Sequence, residues 1–128
     1  MTHTDPFTHS VRVRYVETDA GGVVHHSSYV IWLEEARTEW MRARGKSYRE
    51  IESDGQFLMV TGLQVKYLSP ARYDDELVIS VAEESRRRAS VDIVYEITNR
   101  HTGQRIATAS TRLACTDSSG QVQRLPDL

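Results

Sequence analysis

The chain begins with alternating apolar and polar residues over residues 9–15. Side chains of a β-strand point to opposite faces in turn, so this period of two predicts a half-buried strand. The apolar positions are Val11, Val13 and Tyr15, and the polar positions between them are Ser10, Arg12 and Arg14.

A helical pattern follows, and it is predicted to begin at Ser27 or Ser28. Both serines are suitable N-cap residues, and the apolar side chains after them recur at roughly helical spacing. Gly45 is expected to end the helix. The pattern therefore predicts one long amphipathic helix, whose apolar positions are Tyr29, Ile31, Leu33, Ala36, Trp40 and Met41.

The rest of the chain is rich in β-branched residues and is divided by turn signals. Ser47 and Glu50 have the spacing of a capping box, which predicts a short second helix ending near Gly55. The predicted strands are expected to pair in sequence order as an antiparallel meander. They cover residues 57–68, 77–84, 89–100 and 104–116. The predicted fold class is therefore α+β, with one sheet around one long helix.

Asp19 lies between the first predicted strand and the long helix, just before Gly21 and Gly22. Glycines permit a sharp turn and the close approach of a substrate. The first backbone amides of a helix have no partner within it and carry partial positive charge, so they can hold an oxyanion. The arrangement favours a carboxylate aimed at a polarised carbonyl. An aspartate before two glycines is also typical of a plain turn, and this alternative stays open.

Length and composition predict a single globular domain, because 128 residues with 39% hydrophobic content suffice for one core. The net charge of −2 argues against bulk affinity for nucleic acid or an anionic membrane. No segment approaches the ~20 apolar residues that a membrane span requires, and the first ten residues lack the features of a secretory signal. Residues 1–7 and 126–128 are expected to fray.

The cysteine and histidine content predicts neither disulfides nor a metal centre. Cys115 is the one cysteine, and it is expected to be a buried thiol in a reducing compartment. His25 and His26 are adjacent on a turn, and no third ligand lies at a recognised zinc spacing. A cytoplasmic location and no cofactor are therefore predicted.

The segment from Arg12 to Arg37 resembles the signature of hotdog-fold acyl-CoA thioesterases. The similarity is to the 4-hydroxybenzoyl-CoA thioesterase-like branch, which includes the acyl-CoA thioesterases associated with the Tol-Pal system. The runs YLSPARYDDEL at residues 67–77 and RRRAS at residues 86–90 also fall where that family has similar segments. The matching residues are Tyr15, Thr18, Asp19, Ala20, Gly21, Gly22, Val23, Val24, His26 and Tyr29. The resemblance implies one hotdog domain over residues 1–128, with a five- or six-stranded antiparallel sheet wrapped around one long helix.

The resemblance also implies a homodimer, with sheets paired edge to edge and active sites at the interface; tetramers also occur in this fold. Asp19 matches the catalytic carboxylate, which acts as nucleophile or as general base. The backbone N–H of His26 matches the donor to the thioester oxygen. Tyr15 matches a residue implicated in part of the family. The neighbouring residues expected to contact the substrate are Gly22, Val23 and His25.

A basic patch is expected to contact the phosphates of coenzyme A, which enters only as part of the substrate. Guanidinium groups suit phosphate oxygens, and the patch falls at a predicted surface turn. The alternative is a solvated turn that balances Glu83 and Glu84. The residues of the patch are Arg86, Arg87, Arg88 and Ser90.

The sequence therefore predicts a thioesterase that hydrolyses an acyl-CoA, or a similar acyl thioester, to a free acid and a thiol. No G-x-S-x-G elbow is present, which argues against an α/β-hydrolase. One alternative is a hotdog-fold hydratase or dehydratase, which would pair a histidine with an acid. The other is a non-catalytic acyl-binding or scaffolding module. The expected partners are a small-molecule thioester and a second copy of the chain.

Overall fold

The computed structural model describes residues 6–128, in which one long helix packs on a five-stranded antiparallel sheet. This confirms the predicted α+β class and the hotdog architecture. The strands are β1 (Phe7–Arg12), β2 (Phe57–Tyr67), β3 (Glu76–Arg86), β4 (Ser90–Asn99) and β5 (Arg105–Thr116), and the helices are α1 (His26–Ala43) and α2 (Tyr48–Ser53).

The strand order is β1-β3-β4-β5-β2, so the predicted meander is correct only for β3, β4 and β5. The prediction that β2 pairs with its neighbour in sequence is wrong, because Val11 of β1 pairs with Leu77 and occupies the free edge of β3. Strand β2 takes the opposite edge, where Leu63 pairs with Thr111 of β5. The sheet therefore ends in β2, and that edge has no partner strand within residues 6–128.

Helix α1 buries its apolar side against the inner face of the sheet. Side chains along β3 and β4 alternate between buried and more exposed positions, as a sheet covered on one face requires. Because the apolar stripe of α1 and the inner face of the sheet are both long, they form one continuous core. Its fully buried members include Leu33, Ala36, Met41, Ile79, Ile93 and Leu113.

Strand β1 ends at Arg12, earlier than the predicted end at residue 15. A short 3₁₀ turn, Tyr15–Glu17, comes next and precedes Asp19. The Glu17 carboxylate accepts the N–H of Arg14 at 2.7 Å, which removes that amide from any strand ladder. Asp19 therefore lies in a loop after this turn rather than at the end of the strand.

Both described chain ends contact the body of the protein. Phe7 pairs with Val81 in the sheet. Leu125 donates its N–H to the Arg88 carbonyl at 2.9 Å, and Leu128 packs against the core. Fraying of residues 6–7 and 126–128 therefore stays a prediction, and residues 1–5 lie outside the described residues.

Two further sequence predictions concern the core and membranes. Cys115 is fully buried, as predicted, and desolvation raises the pKa of its thiol. Across residues 6–128, every helix is too short or too polar to cross a lipid bilayer.

Substitution Ser47→Ala is expected to lower the free energy of unfolding by about 1 kcal/mol. The predicted capping box is present, since Glu50 donates its N–H to the Ser47 hydroxyl at 3.2 Å and accepts the Ser47 N–H at 3.1 Å. Removing the hydroxyl leaves a first-turn amide of α2 without its acceptor. Urea unfolding measures the change, with Ser118→Ala at an exposed turn as the control. Equal stabilities of the two variants would contradict the role of the cap.

Candidate active site

Asp19 lies in a tight loop that is closed by a bridge between Thr18 and Val24. The N–H of Asp19 donates to the Val23 carbonyl at 2.8 Å, and the N–H of Gly22 donates to the Asp19 carbonyl at 2.9 Å. Gly22 has φ +81°, a conformation that favours glycine. A Cβ at Gly21 would lie 3.3 Å from Asp19 Oδ1. The two glycines therefore permit the turn and leave room for the carboxylate.

The two oxygens of the Asp19 carboxylate have different surroundings. Oδ1 accepts the N–H of Gly21 at 2.9 Å and that of Val23 at 3.4 Å. Oδ2 accepts no hydrogen bond from any group in residues 6–128. The turn interpretation and the chemical one are thus compatible, because one oxygen fixes the side chain while the other is left to react.

Helix α1 begins at His26, and its N-cap is His25 rather than the predicted Ser27 or Ser28. The cause is tertiary, because the His25 N–H donates to the Glu17 carbonyl at 2.9 Å and holds the residue extended. The His25 side chain makes no capping bond. Within the described part of the chain, the N–H groups of His26 and Ser27 meet no acceptor. They are unpaired donors at the positive end of the helix.

Asp19 and His26 line one cavity of about 300 Å³. The His26 and Tyr67 rings pack edge to face, with centroids 4.7 Å apart, and the Tyr67 hydroxyl donates to the His26 carbonyl at 3.3 Å. Tyr29 lies beneath them, and its burial raises the pKa of its phenol. The cavity thus combines a carboxylate, a helix start and an aromatic wall. Its lining is completed by Val23, Val24, Leu68, Ser69 and Pro70.

A larger open groove, of about 640 Å³, crosses the outer face of the sheet. Its lining includes Gln64, Lys66, Glu84 and Glu96, with neither Asp19 nor a helix start. The smaller cavity is therefore the candidate active site.

Of the six site residues predicted between positions 15 and 26, three do not line this cavity. Tyr15 is 78% exposed, and its ring packs edge to face on Tyr73 at 5.5 Å between centroids. Gly22 and His25 belong to the loop and the helix start, but neither residue lines the cavity. Within residues 6–128, no three His, Cys, Asp or Glu side chains are placed to hold a metal ion.

The predicted basic patch is largely engaged in internal ion pairs. Arg86 donates twice to the Glu83 carboxylate, at 2.7 and 3.2 Å. Arg87 donates to Asp92 at 2.8 Å. Hydrogen bonds from Arg112 and then Arg87 hold the pKa of the Asp92 carboxyl well below its usual range. Two of the three arginines therefore already have a carboxylate partner.

Arg88 differs from its neighbours, because its side chain has no ion pair or hydrogen bond within the described residues. The Ser90 hydroxyl is not free, since it accepts a hydrogen bond from Arg87 at 2.7 Å. Of the four residues in the predicted patch, Arg88 is thus the one with a guanidinium left for an external phosphate.

The arginine turn lies at the opposite end of β3 from the Asp19 loop. Val23 in that loop bridges Arg72, close to the start of β3 at Glu76. Strand β3 has eleven residues, and at ~3.3 Å per residue its two ends are roughly 33 Å apart. One subunit alone therefore does not place Arg88 beside Asp19.

The cavity wall formed by Tyr67, Leu68, Ser69 and Pro70 was not predicted from the sequence. These residues belong to the YLSPARYDDEL run, which carried a family resemblance but no chemical signal of its own. The burial of Glu17 was not predicted either. A single acid just after an alternating segment gives no sign of burial, because its partner Trp32 is fifteen residues away in the sequence.

Residues 13–128 match the family model of the thioesterase-like superfamily. The chain is 40% identical to the acyl-CoA thioester hydrolase YbgC of Escherichia coli, over 76% of this chain and 72% of that protein. It is 31% identical to the acyl-CoA thioesterase YbgC of Haemophilus influenzae, over 87% and 81% respectively.

A solved structure gives the same result. The crystal structure of DHNA-CoA thioesterase from Staphylococcus aureus superposes with a TM-score of 0.88 at 32% identity, over 92% of this chain and 79% of that one. These similarities confirm the predicted hotdog thioesterase resemblance. The chain therefore belongs to the thioesterase-like superfamily, and it is a thioesterase enzyme with the hotdog fold.

Proposed function

We propose that this enzyme hydrolyses an acyl-CoA, or a similar acyl thioester, to a free acid and a thiol in the Asp19 cavity. The observation that carries the proposal is that a free carboxylate oxygen and the start of α1, with its unpaired N–H groups, line the same cavity. The names of the two YbgC relatives support acyl-CoA as the substrate class.

In this proposal the N–H of His26 donates to the thioester oxygen and stabilises the negative charge that develops there. Asp19 Oδ2 supplies the reactive lone pair. As a nucleophile it forms a C–O bond to the acyl carbon, the C–S bond breaks, and water then hydrolyses the mixed anhydride. As a general base it takes a proton from a water whose oxygen attacks the same carbon. In both courses the leaving thiolate gains a proton.

We also propose that the active unit is a homodimer joined along β2. Strand β2 is an edge strand of eleven residues with exposed apolar side chains, including Val60 at 49% and Leu63 at 46% exposure. A long, apolar, unpaired edge is unusual in an isolated protein, because it invites pairing with another strand. Tyr67 is the last residue of β2 and lines the cavity, so a partner at this edge would complete the site.

The dimer also explains how Arg88 can serve the substrate. A two-fold axis perpendicular to the sheet at the β2 edge would run the partner's strands antiparallel to these and bring the partner's arginine turn to the Asp19 end of this subunit. In this arrangement an extended coenzyme A would run from the cavity towards that turn. We therefore assign Arg88 to the phosphates of coenzyme A, and leave Arg86 and Arg87 as internal ion pairs.

Substitution Arg88→Ala is expected to raise the KM for an acyl-CoA about tenfold, because a charge-assisted phosphate contact is lost. The same acyl group on N-acetylcysteamine has no phosphate, so its KM should not change. Arg86→Ala is the matched control, since Arg86 already pairs with Glu83. A similar KM increase for both thioesters would contradict a phosphate contact.

The test of the proposed function is release of free thiol from a panel of aromatic and aliphatic acyl-CoAs, with mass detection of the acid. A hydratase or dehydratase would interconvert β-hydroxyacyl and enoyl thioesters without thiol, and a binding module would bind without turnover. Either outcome would refute the proposal.

We further propose that no cofactor is needed and that the enzyme is cytoplasmic. Activity should therefore survive dialysis against a chelator, and fractionation should recover the protein in the cytosol.

A further inference from the structure

We propose that Glu17 is a positioning residue. Through a buried hydrogen bond to Trp32, it fixes the position of Asp19 relative to the start of α1. This inference rests on the proposed function, in which Asp19 is the catalytic carboxylate. Glu17 lies two residues before Asp19, and it is only 8% exposed although it is an acid. Buried carboxylates are costly unless their oxygens are satisfied, so this one requires an explanation.

The Glu17 side chain ties the turn before Asp19 to the helix. Oε2 accepts the indole N–H of Trp32 at 3.0 Å and the Arg14 guanidinium at 3.2 Å. Oε1 accepts the Arg14 N–H at 2.7 Å. Trp32 is 2% exposed and belongs to α1. Both oxygens are therefore occupied by fixed donors, and one of those donors is on the helix whose first amide faces the substrate.

The Glu17 backbone holds the other end of the Asp19 loop. Its carbonyl accepts the His25 N–H at 2.9 Å and the Ser28 hydroxyl at 3.4 Å. The loop therefore starts at Glu17 and is tied back to Glu17 by the hydrogen bond from His25, with Asp19 between these two points. The separation of the Asp19 carboxylate from the His26 amide is consequently set by how this residue sits on α1.

Stability alone is a poor reason for this arrangement. Apolar side chains of similar volume often replace buried charged groups with no loss of stability. A hydrogen bond to one indole N–H is directional, so it fixes the position and orientation of the loop relative to the helix. Non-directional apolar packing does not do this. Catalytic groups must be held close to their reactive geometry, since small misplacements cost large factors in rate.

The first test is Glu17→Gln in the full chain. Glutamine has one acceptor oxygen and places an NH₂ where the other oxygen was, so one of the present donors would face another donor. We expect kcat for an acyl-CoA to fall about 10- to 100-fold, with KM changed less than about threefold. Trp32→Phe removes the indole donor and should lower kcat in the same way. The double variant should be no slower than the slower single variant, because both act through one bond.

Two readouts separate positioning from general loss of structure. In ¹⁵N-labelled protein, the indole N–H resonance of Trp32 should move in Glu17→Gln, whereas that of Trp40 should not. Trp40→Phe is the matched control, because Trp40 is also buried on α1 and makes no bond to Glu17. It is expected to lower the thermal midpoint while leaving kcat within about twofold of the native value.

The inference fails if Glu17→Gln keeps native kcat, or if Trp40→Phe lowers kcat as much as Trp32→Phe does. If Glu17→Gln does not fold, Trp32→Phe against Trp40→Phe decides the question. Asp19→Asn is measured in parallel. An active Asp19→Asn variant would overturn the proposed function itself, whereas an inactive one beside an active Glu17→Gln would overturn only the role of Glu17.

Discussion

Substitution Asp19→Asn is expected to lower kcat for acyl-CoA hydrolysis by about 10³-fold, with little change in stability. The Asn carbonyl oxygen can still accept the N–H groups of Gly21 and Val23 that Oδ1 now accepts. The loop should therefore keep its shape. What is lost is the lone pair and charge at Oδ2, which both versions of the proposed mechanism require.

Thiol release by the native enzyme and the variant measures this effect, at matched concentration and with circular dichroism to check folding. Glu52→Gln is the control, because Glu52 is an exposed acid on α2 outside the cavity. Binding of a non-hydrolysable acyl-CoA analogue should be nearly unchanged in Asp19→Asn. A folded variant with native turnover would show that Asp19 is only a turn residue.

The pattern of the sequence was sufficient to predict the long helix and most of the sheet. The reason is that α1 and β3–β5 share one core, so the positions that face it are apolar and recur with the period of a helix or a strand. The position of β2 in the sheet cannot be predicted from this periodicity. Its alternation fits either edge of the sheet, and the choice depends on β1 occupying the edge beside β3.

The candidate site was predicted in part, because its loop chemistry is local and its walls are not. Asp19, Gly21 and Gly22 are close in sequence, so their turn could be read directly. The helix start was misplaced because His25 is held by the Glu17 carbonyl rather than by a side-chain cap. Tyr67 reaches the cavity only through the fold, because it lies 41 residues after His26 in the sequence.

The second large effect is expected from Leu63→Lys, which should convert the proposed homodimer to a monomer and lower kcat/KM by at least about 100-fold. Leu63 pairs with the buried Thr111, so it faces the helix side of the sheet, yet α1 leaves it 46% exposed. A partner subunit would cover this position, and burying an unpaired ammonium there is costly. Light scattering after gel filtration gives the mass, and thiol release gives the activity.

Gln64→Lys is the matched control, because the neighbouring residue lies on the same strand but faces the outer groove. It adds the same charge and should leave both the proposed dimer and the activity in place. A Leu63→Lys variant that remains a fully active dimer would place the interface elsewhere. A native protein that is monomeric at the concentrations where it is active would mean that Asp19, the α1 start and Tyr67 suffice for turnover. The loss of activity on dissociation, by contrast, follows if the cavity needs a partner at the β2 edge.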